Sequence, residues 1–209
     1  MHRLFPAFAC LLVAAWALAA PVQAAPISIM RLMAPTALPD MTLGQPTAPV
    51  TIVEYASMTC PHCANFDKTV FETLKTDYID TGKVYYVFRE FPLDELAFAA
   101  SMAARCAPKD EFFPVVNALF HAQDAWAFVK QPEPALVAEL EPFGFTQDSF
   151  AACLKKTDIA EGISEIATRA SKEFGVDGTP AFFINGEKHA GEMDVAEMKA
   201  ILDPLLAKN

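Results

Sequence analysis

The chain has 209 residues, 53% hydrophobic and 20% charged, with a formal net charge of −10. That length suffices for one domain with an insertion and a sizeable core. The acidic balance serves solubility and argues against nucleic acid and anionic membrane surfaces as partners.

The chain opens with Arg3, an apolar run from Leu4 to Ala20, and small residues flanking Gln23 in Val22-Gln23-Ala24. This pattern predicts a signal peptide over residues 1–24, with Ala25 as a second cleavage point. The run is short for a retained span of about 20 residues. Cys10 would leave with the leader, and it sits too early to be a lipoprotein acceptor. Cys60, Cys63, Cys106 and Cys153 remain, an even number that fits an exported protein in an oxidising, periplasmic compartment. No later stretch is long and apolar enough to span a membrane.

Pro26, Pro35, Pro39, Pro46 and Pro49 predict an extended arm over residues 25–49 rather than a helix. A strand over Val50–Tyr55, a helix over Pro61–Asp80 and a strand over Val84–Arg89 follow, the order of a parallel crossover. Phe66, Val70, Leu74 and Tyr78 recur every four residues and give the helix one apolar stripe. From Asp94 to about Lys156 the pattern is helical: Leu96–Cys106, Glu111–Ala122, Ala135–Glu141 and Gln147–Lys156, punctuated by prolines and Gly144. A long helix over Asp158–Phe174 ends at a Gly175 cap. Ala181–Ile184 and Glu187–Ala190 form a hairpin about Asn185-Gly186. Asp194 and Glu197 form a capping box for a last helix running to about Leu206. The segments 40–93 and 157–209 together make one α/β core, with residues 94–156 as a helical insert.

Chemistry concentrates at Cys60-Pro61-His62-Cys63, where a strand pattern becomes a helix pattern. Two cysteines at this spacing can cycle between dithiol and disulfide. Pro61 suits the first helical turn, which makes Cys60 the N-cap. The free N–H groups of His62 and Cys63 and the helix dipole then favour a thiolate on Cys60, and a protonated His62 adds to the effect. In the reverse step Cys60 is expected to be the exposed nucleophile, with Cys63 deeper and resolving mixed disulfides. A zinc site lacks its second ligand pair, and a haem attachment lacks a histidine at residue 64, which is Ala64.

Cys60-Pro61-His62-Cys63, Gly178-Thr179-Pro180 before a strand, and the helical insert resemble the DsbA-like thiol–disulfide oxidoreductases of the thioredoxin superfamily. The resemblance covers nearly all of the chain beyond the leader. It implies a thioredoxin fold with an inserted α-helical subdomain. It implies that Pro180 is cis and that Thr179 lies beside the sulfurs. It implies that Glu54 is a buried acid relaying a proton to or from Cys63, where the residues alone leave an exposed strand carboxylate open. It also raises a second, structural disulfide between Cys106 and Cys153, the alternative being two buried thiols. Such a bond would stabilise the insert by about 4 kcal/mol.

The implied activity is donation of a disulfide to reduced or unfolded exported proteins. The implied form is a monomer with no bound cofactor or metal, reoxidised by a membrane quinone-linked protein like DsbB. A reductase or isomerase would use the same sulfurs, although the arm is too short for an isomerase's dimerisation domain. A metal carrier or a peptide-binding chaperone is the rival from another class. Other residues read as structural: His121 on a helix surface, His189 in a strand, Trp126 in the core. Arg89-Glu90 reads as a local ion pair at a strand end, and Phe91-Pro92-Leu93 as a border of the site.

Overall fold

The computed structural model describes residues 26–207. The predicted leader and Cys10 lie outside the described residues. A five-stranded mixed sheet forms the centre, in the order β1 (Met41–Leu43), β3 (Val84–Glu90), β2 (Val50–Ala56), β4 (Ala181–Ile184), β5 (Glu187–Ala190). Strands β2 and β3 are parallel; the other pairs are antiparallel. The fold is a thioredoxin fold with a helical insertion.

Strand alternation sorts side chains onto two faces. Ile52, Tyr86, Phe88, Phe182 and Ile184 pack on one side against the helix over residues 61–79 (α2) and α9 (Val195–Leu206). Val53, Tyr55, Val87 and Phe183 pack on the other against the long helix α8 (Thr157–Phe174). The apolar stripe of α2 is buried at all four positions, Phe66, Val70, Leu74 and Tyr78. Two π-helical stretches, Asp67–Phe71 and Lys75–Ile79, interrupt that helix.

Between β3 and α8 the chain is helical: α3 (Glu95–Cys106), α4 (Phe112–His121), α5 (Gln123–Trp126), α6 (Pro132–Leu140) and α7 (Gln147–Cys153). The short helix α5 is absent from the sequence-based reading, and α7 ends at Cys153 rather than Lys156. A disulfide joins Cys106 at the end of α3 to Cys153 at the end of α7. Trp126 is fully buried, with its indole N–H donating to the Leu119 carbonyl at 2.8 Å.

Two expectations are corrected. The proline-rich arm is not wholly extended: Ile29–Leu32 forms a helical turn, α1, and Met41–Leu43 is the edge strand β1. The stretch between Pro26 and Pro35 is free of proline, so nothing there forbids a helix. Arg89 and Glu90 are not a local ion pair. Adjacent strand residues point to opposite faces, and both side chains are buried. Arg89 makes a bidentate pair with Asp40 at 2.8 and 2.9 Å, and donates to the Leu32 carbonyl and the Tyr55 hydroxyl. Glu90 pairs with Arg105, which also donates to the Pro39 carbonyl at 2.6 Å.

These contacts explain how an arm with few regular hydrogen bonds stays in place. Arg89, Arg105 and Arg169 from three elements donate to its carbonyls at Leu32, Pro39, Ala34 and Arg31. Gly162 on α8 completes the seat, since a Cβ there would lie 2.4 Å from Leu38. Asp40→Ala would leave the Arg89 guanidinium buried without its counter-charge. The expected loss is about 3 kcal/mol of unfolding free energy, read by urea denaturation.

Candidate active site

The loop after β2 carries Ser57, Met58 and Thr59 into Cys60, the N-cap of α2. Cys60 has extended backbone (φ −79°, ψ 118°), and Pro61 occupies the first turn, where its missing N–H leaves no bond unmade. The loop is pinned locally. The Cys60 N–H donates to the Ser57 carbonyl at 3.1 Å. Leu93 N–H donates to the Ser57 hydroxyl, and the Thr59 hydroxyl donates to Asp94 at 2.6 Å. Asp94 is itself the N-cap of α3. Phe91-Pro92-Leu93 therefore runs beside the cysteine loop, with Leu93 half exposed.

Cys60 and Cys63 are both free thiols. The expectation of an exposed Cys60 is corrected: its residue is 5% exposed, against 0% for Cys63. The turn at Thr179–Pro180 covers it. That peptide bond is cis, and the Cys60 thiol donates to the Thr179 carbonyl at 3.2 Å.

The two sulfurs are electrostatically opposite. The Cys60 pKa is lowered to about 5, chiefly because the Cys63 thiol donates to its thiolate. Partial burial opposes this; the Thr179 side chain and the N–H groups of Cys63 and His62 reinforce it. The Thr179 hydroxyl is buried and forms no hydrogen bond, so it acts on the sulfur as a nearby dipole. Cys63 is pushed well above the ordinary thiol range by burial, then by its donation to Cys60 and by the nearby charges of Glu54 and Cys60.

Glu54 lies on β2, beneath the cysteines, and is 2% exposed. It accepts a hydrogen bond from the Tyr86 hydroxyl. Burial pushes its pKa up to about 8, against the effect of that bond, with small additions from the charges of Asp67 and Cys60. Asp67, one turn past Cys63 on α2, is also buried and raised to about 7. It accepts from Asn117 at 2.8 Å, and exposed His121 lies 3.3 Å away.

His62 is largely exposed, and its Nδ1 lies 2.9 Å from Glu192. Glu192 also accepts from Asn65. The His62 pKa is raised, first by the Glu192 bond and then by the Cys60 charge. Thus the His62 ring is held by a carboxylate across the site, while its backbone N–H serves the sulfur. Neither Glu192 nor Asn65 was foreseen from sequence. His189 pairs with Phe182 in the hairpin, and its Nε2 is buried without a partner. Among the described residues no cluster of histidine, cysteine and acid side chains could hold a metal ion.

Glu54 gives the site a measurable pH signature. The unfolded chain ionises this group above about pH 4.5, whereas the folded protein holds its proton up to about 8. Between those values the folded state binds more protons, so this term makes stability fall as pH rises. Glu54→Gln removes it. The variant is expected to gain about 3 kcal/mol over the parent at pH 7, with the gain vanishing at acid pH, in denaturation curves taken across the window.

A family model for thioredoxin matches residues 36–204. A chain of Rickettsia typhi named protein-disulfide oxidoreductase is 36% identical over 148 residues, covering 70% of this chain and 55% of the relative. This chain therefore spans about half the length of the rickettsial relatives it matches. A chain of Bacillus cereus named disulfide bond formation protein D is 31% identical over 184 residues, covering 81% of this chain and 80% of the relative. The crystal structure of Wolbachia pipientis alpha-DsbA1 superposes with a TM-score of 0.77 at 33% identity, covering 85% of this chain and 96% of the other. The chain belongs to the thioredoxin superfamily and, within it, to the DsbA-like proteins.

Proposed function

We propose that this protein is a thiol–disulfide oxidoreductase that donates the Cys60–Cys63 disulfide to reduced, unfolded exported proteins. The observation that carries this reading is the split between the two sulfurs, one thiolate favoured at about 5 and the other held far above neutrality. A stabilised Cys60 thiolate favours the reduced pair, so the disulfide is the better oxidant. At pH 7 a pKa near 5 stabilises the reduced form by about 2.7 kcal/mol, or about 60 mV for a two-electron couple.

The steps follow from the same split. A substrate thiolate attacks the Cys60 sulfur, the Cys60–Cys63 bond breaks, and Cys63 leaves with the electron pair. Glu54, protonated at neutral pH, gives its proton to the Cys63 thiolate, because the Cys63 thiol binds a proton more tightly. A second substrate thiolate attacks the substrate sulfur of the mixed disulfide. Cys60 leaves as a stable thiolate, and the substrate keeps the new disulfide. Two electrons have passed to the protein. The Thr179 carbonyl beside Cys60 offers an acceptor to the backbone of an extended substrate.

The Cys106–Cys153 bond fits an oxidising, periplasmic location reached through the predicted leader. The reduced pair must return its two electrons to an acceptor, for which a membrane quinone-linked protein like DsbB is the proposed class. We also propose that residues 40–93 and 157–209 act as the redox core, with residues 94–156 as a cover over it, in a monomeric protein.

The test is stoichiometric oxidation of a reduced, unfolded disulfide-containing protein by the oxidised chain. The parent is expected to regenerate native disulfides. Cys60→Ser is expected to fall to the uncatalysed rate, and Cys63→Ser, mixed with the disulfide-bonded form of the substrate, to accumulate mixed disulfides on Cys60, visible on non-reducing gels. Donation surviving in Cys60→Ser would contradict the assignment.

A further inference from the structure

One buried polar side chain that touches the reactive loop comes from the helical insert and has no part in the sulfur chemistry described above. Gln123, the first residue of α5, is 2% exposed. Its side-chain nitrogen donates to the Met58 carbonyl at 2.8 Å and to the Cys60 carbonyl at 3.0 Å. Two acceptor oxygens can be met only by the NH2 end of the amide, so its orientation is chemically determined. The Cys60 carbonyl also accepts the Ala64 N–H at 3.1 Å, the first bond of α2. One amide thus ties the residue before Thr59 and the N-cap itself to a helix more than sixty positions away in sequence.

The anchor behind Gln123 is firm. Trp126, at the other end of α5, is fully buried and bonded to α4. Asn117 on α4 grips α2 a second time, at Asp67. The insert therefore holds the active-site helix at its first residue and again two turns along it.

We propose that Gln123 is a positioning residue for the reactive cysteine, by which the insert fixes the backbone of residues 58–60 so that the helix N–H groups meet the Cys60 sulfur. The electrostatic logic points the same way. The Met58 and Cys60 carbonyls carry partial negative charge next to a thiolate. The Gln123 N–H groups neutralise that charge and add the positive end of an amide dipole. Without them, two buried carbonyls lose a donor and the N-cap is free to shift. The other ionisable groups acting here, Cys63 and His62 on α2 and Glu54 on β2, are untouched by a change at Gln123. The inference deepens the proposed redox role and rests on Cys60 being its nucleophile.

The experiment compares the parent, Gln123→Met and Trp126→Phe as full chains. Methionine keeps the volume and removes both donors. Trp126→Phe cuts the indole bond on the same helix while leaving the amide, and so reports a merely structural role. Thiolate absorbance of the reduced proteins is titrated against pH. Gln123→Met is expected to raise the Cys60 midpoint by about one unit, a tenfold change in the ionisation constant, and to lower the potential at neutral pH by about 30 mV. Trp126→Phe is expected to leave the midpoint in place. An unmoved midpoint in Gln123→Met, or an equal shift in Trp126→Phe, would overturn the proposal. Should Gln123→Met fail to fold, the side-chain amide of Gln123 in the reduced parent is followed by NMR. Its proton shifts are expected to titrate with the Cys60 midpoint, and their indifference to it would overturn the proposal. A parent potential in the thioredoxin range would defeat the donor reading alone, because the clamp is judged on the difference between variant and parent.

Discussion

The stabilisation of one sulfur as an anion at the start of a helix is the interaction on which the other features depend. A thiolate at Cys60 needs donors, and the fold supplies them from three directions. The Cys63 thiol lies one turn below, the N–H groups of His62 and Cys63 come from the helix itself, and the Thr179 side chain faces it from the turn before β4. Each donor is useful only within hydrogen-bond reach. The geometry of residues 57–63 is therefore the quantity that the surrounding structure has to hold constant.

Buried polar groups hold it. Glu54 beneath α2 and Asp67 on it have raised pKa values, about 8 and about 7, so near pH 7 Glu54 is largely neutral and Asp67 about half so, and they oppose the Cys60 charge less than full anions would. Arg89 on β3 and Arg105 on α3, each with a carboxylate partner, fasten the arm to the sheet. Removing single partners from such pairs strands a charge in the interior, which is why they tie the arm firmly although the arm has little regular structure. The insert contributes a disulfide at its far side and Gln123 and Asn117 at its near side.

What could be read from sequence was local. Cys60-Pro61-His62-Cys63 declares a helix N-terminus because Pro61 and the cap position are adjacent. Asn185-Gly186 declares its hairpin, and Asp194 with Glu197 its capping box, for the same reason. The neutral, buried Glu54 could be reached through the family resemblance and strand alternation together. What could not be read was partnership at long separation. Arg89 finds Asp40 on the arm, His62 finds Glu192 beyond the hairpin, and Met58 finds Gln123 on a four-residue helix with no periodic signal. Proline counts misled at Ile29–Leu32, because what allows a helical turn is the spacing between prolines rather than their density.

The central claim is that Cys60 is a stabilised thiolate which makes the pair an oxidant. The most direct measurement is the equilibrium reduction potential of Cys60–Cys63 against glutathione, with Cys106 and Cys153 replaced by serine so that one couple is observed. Relative to a thioredoxin pair at about −270 mV with its thiol near 7, a thiol near 5 adds about 50 mV. A potential above about −220 mV is the result this account predicts. A value near −270 mV would contradict it and describe an exported reductase instead.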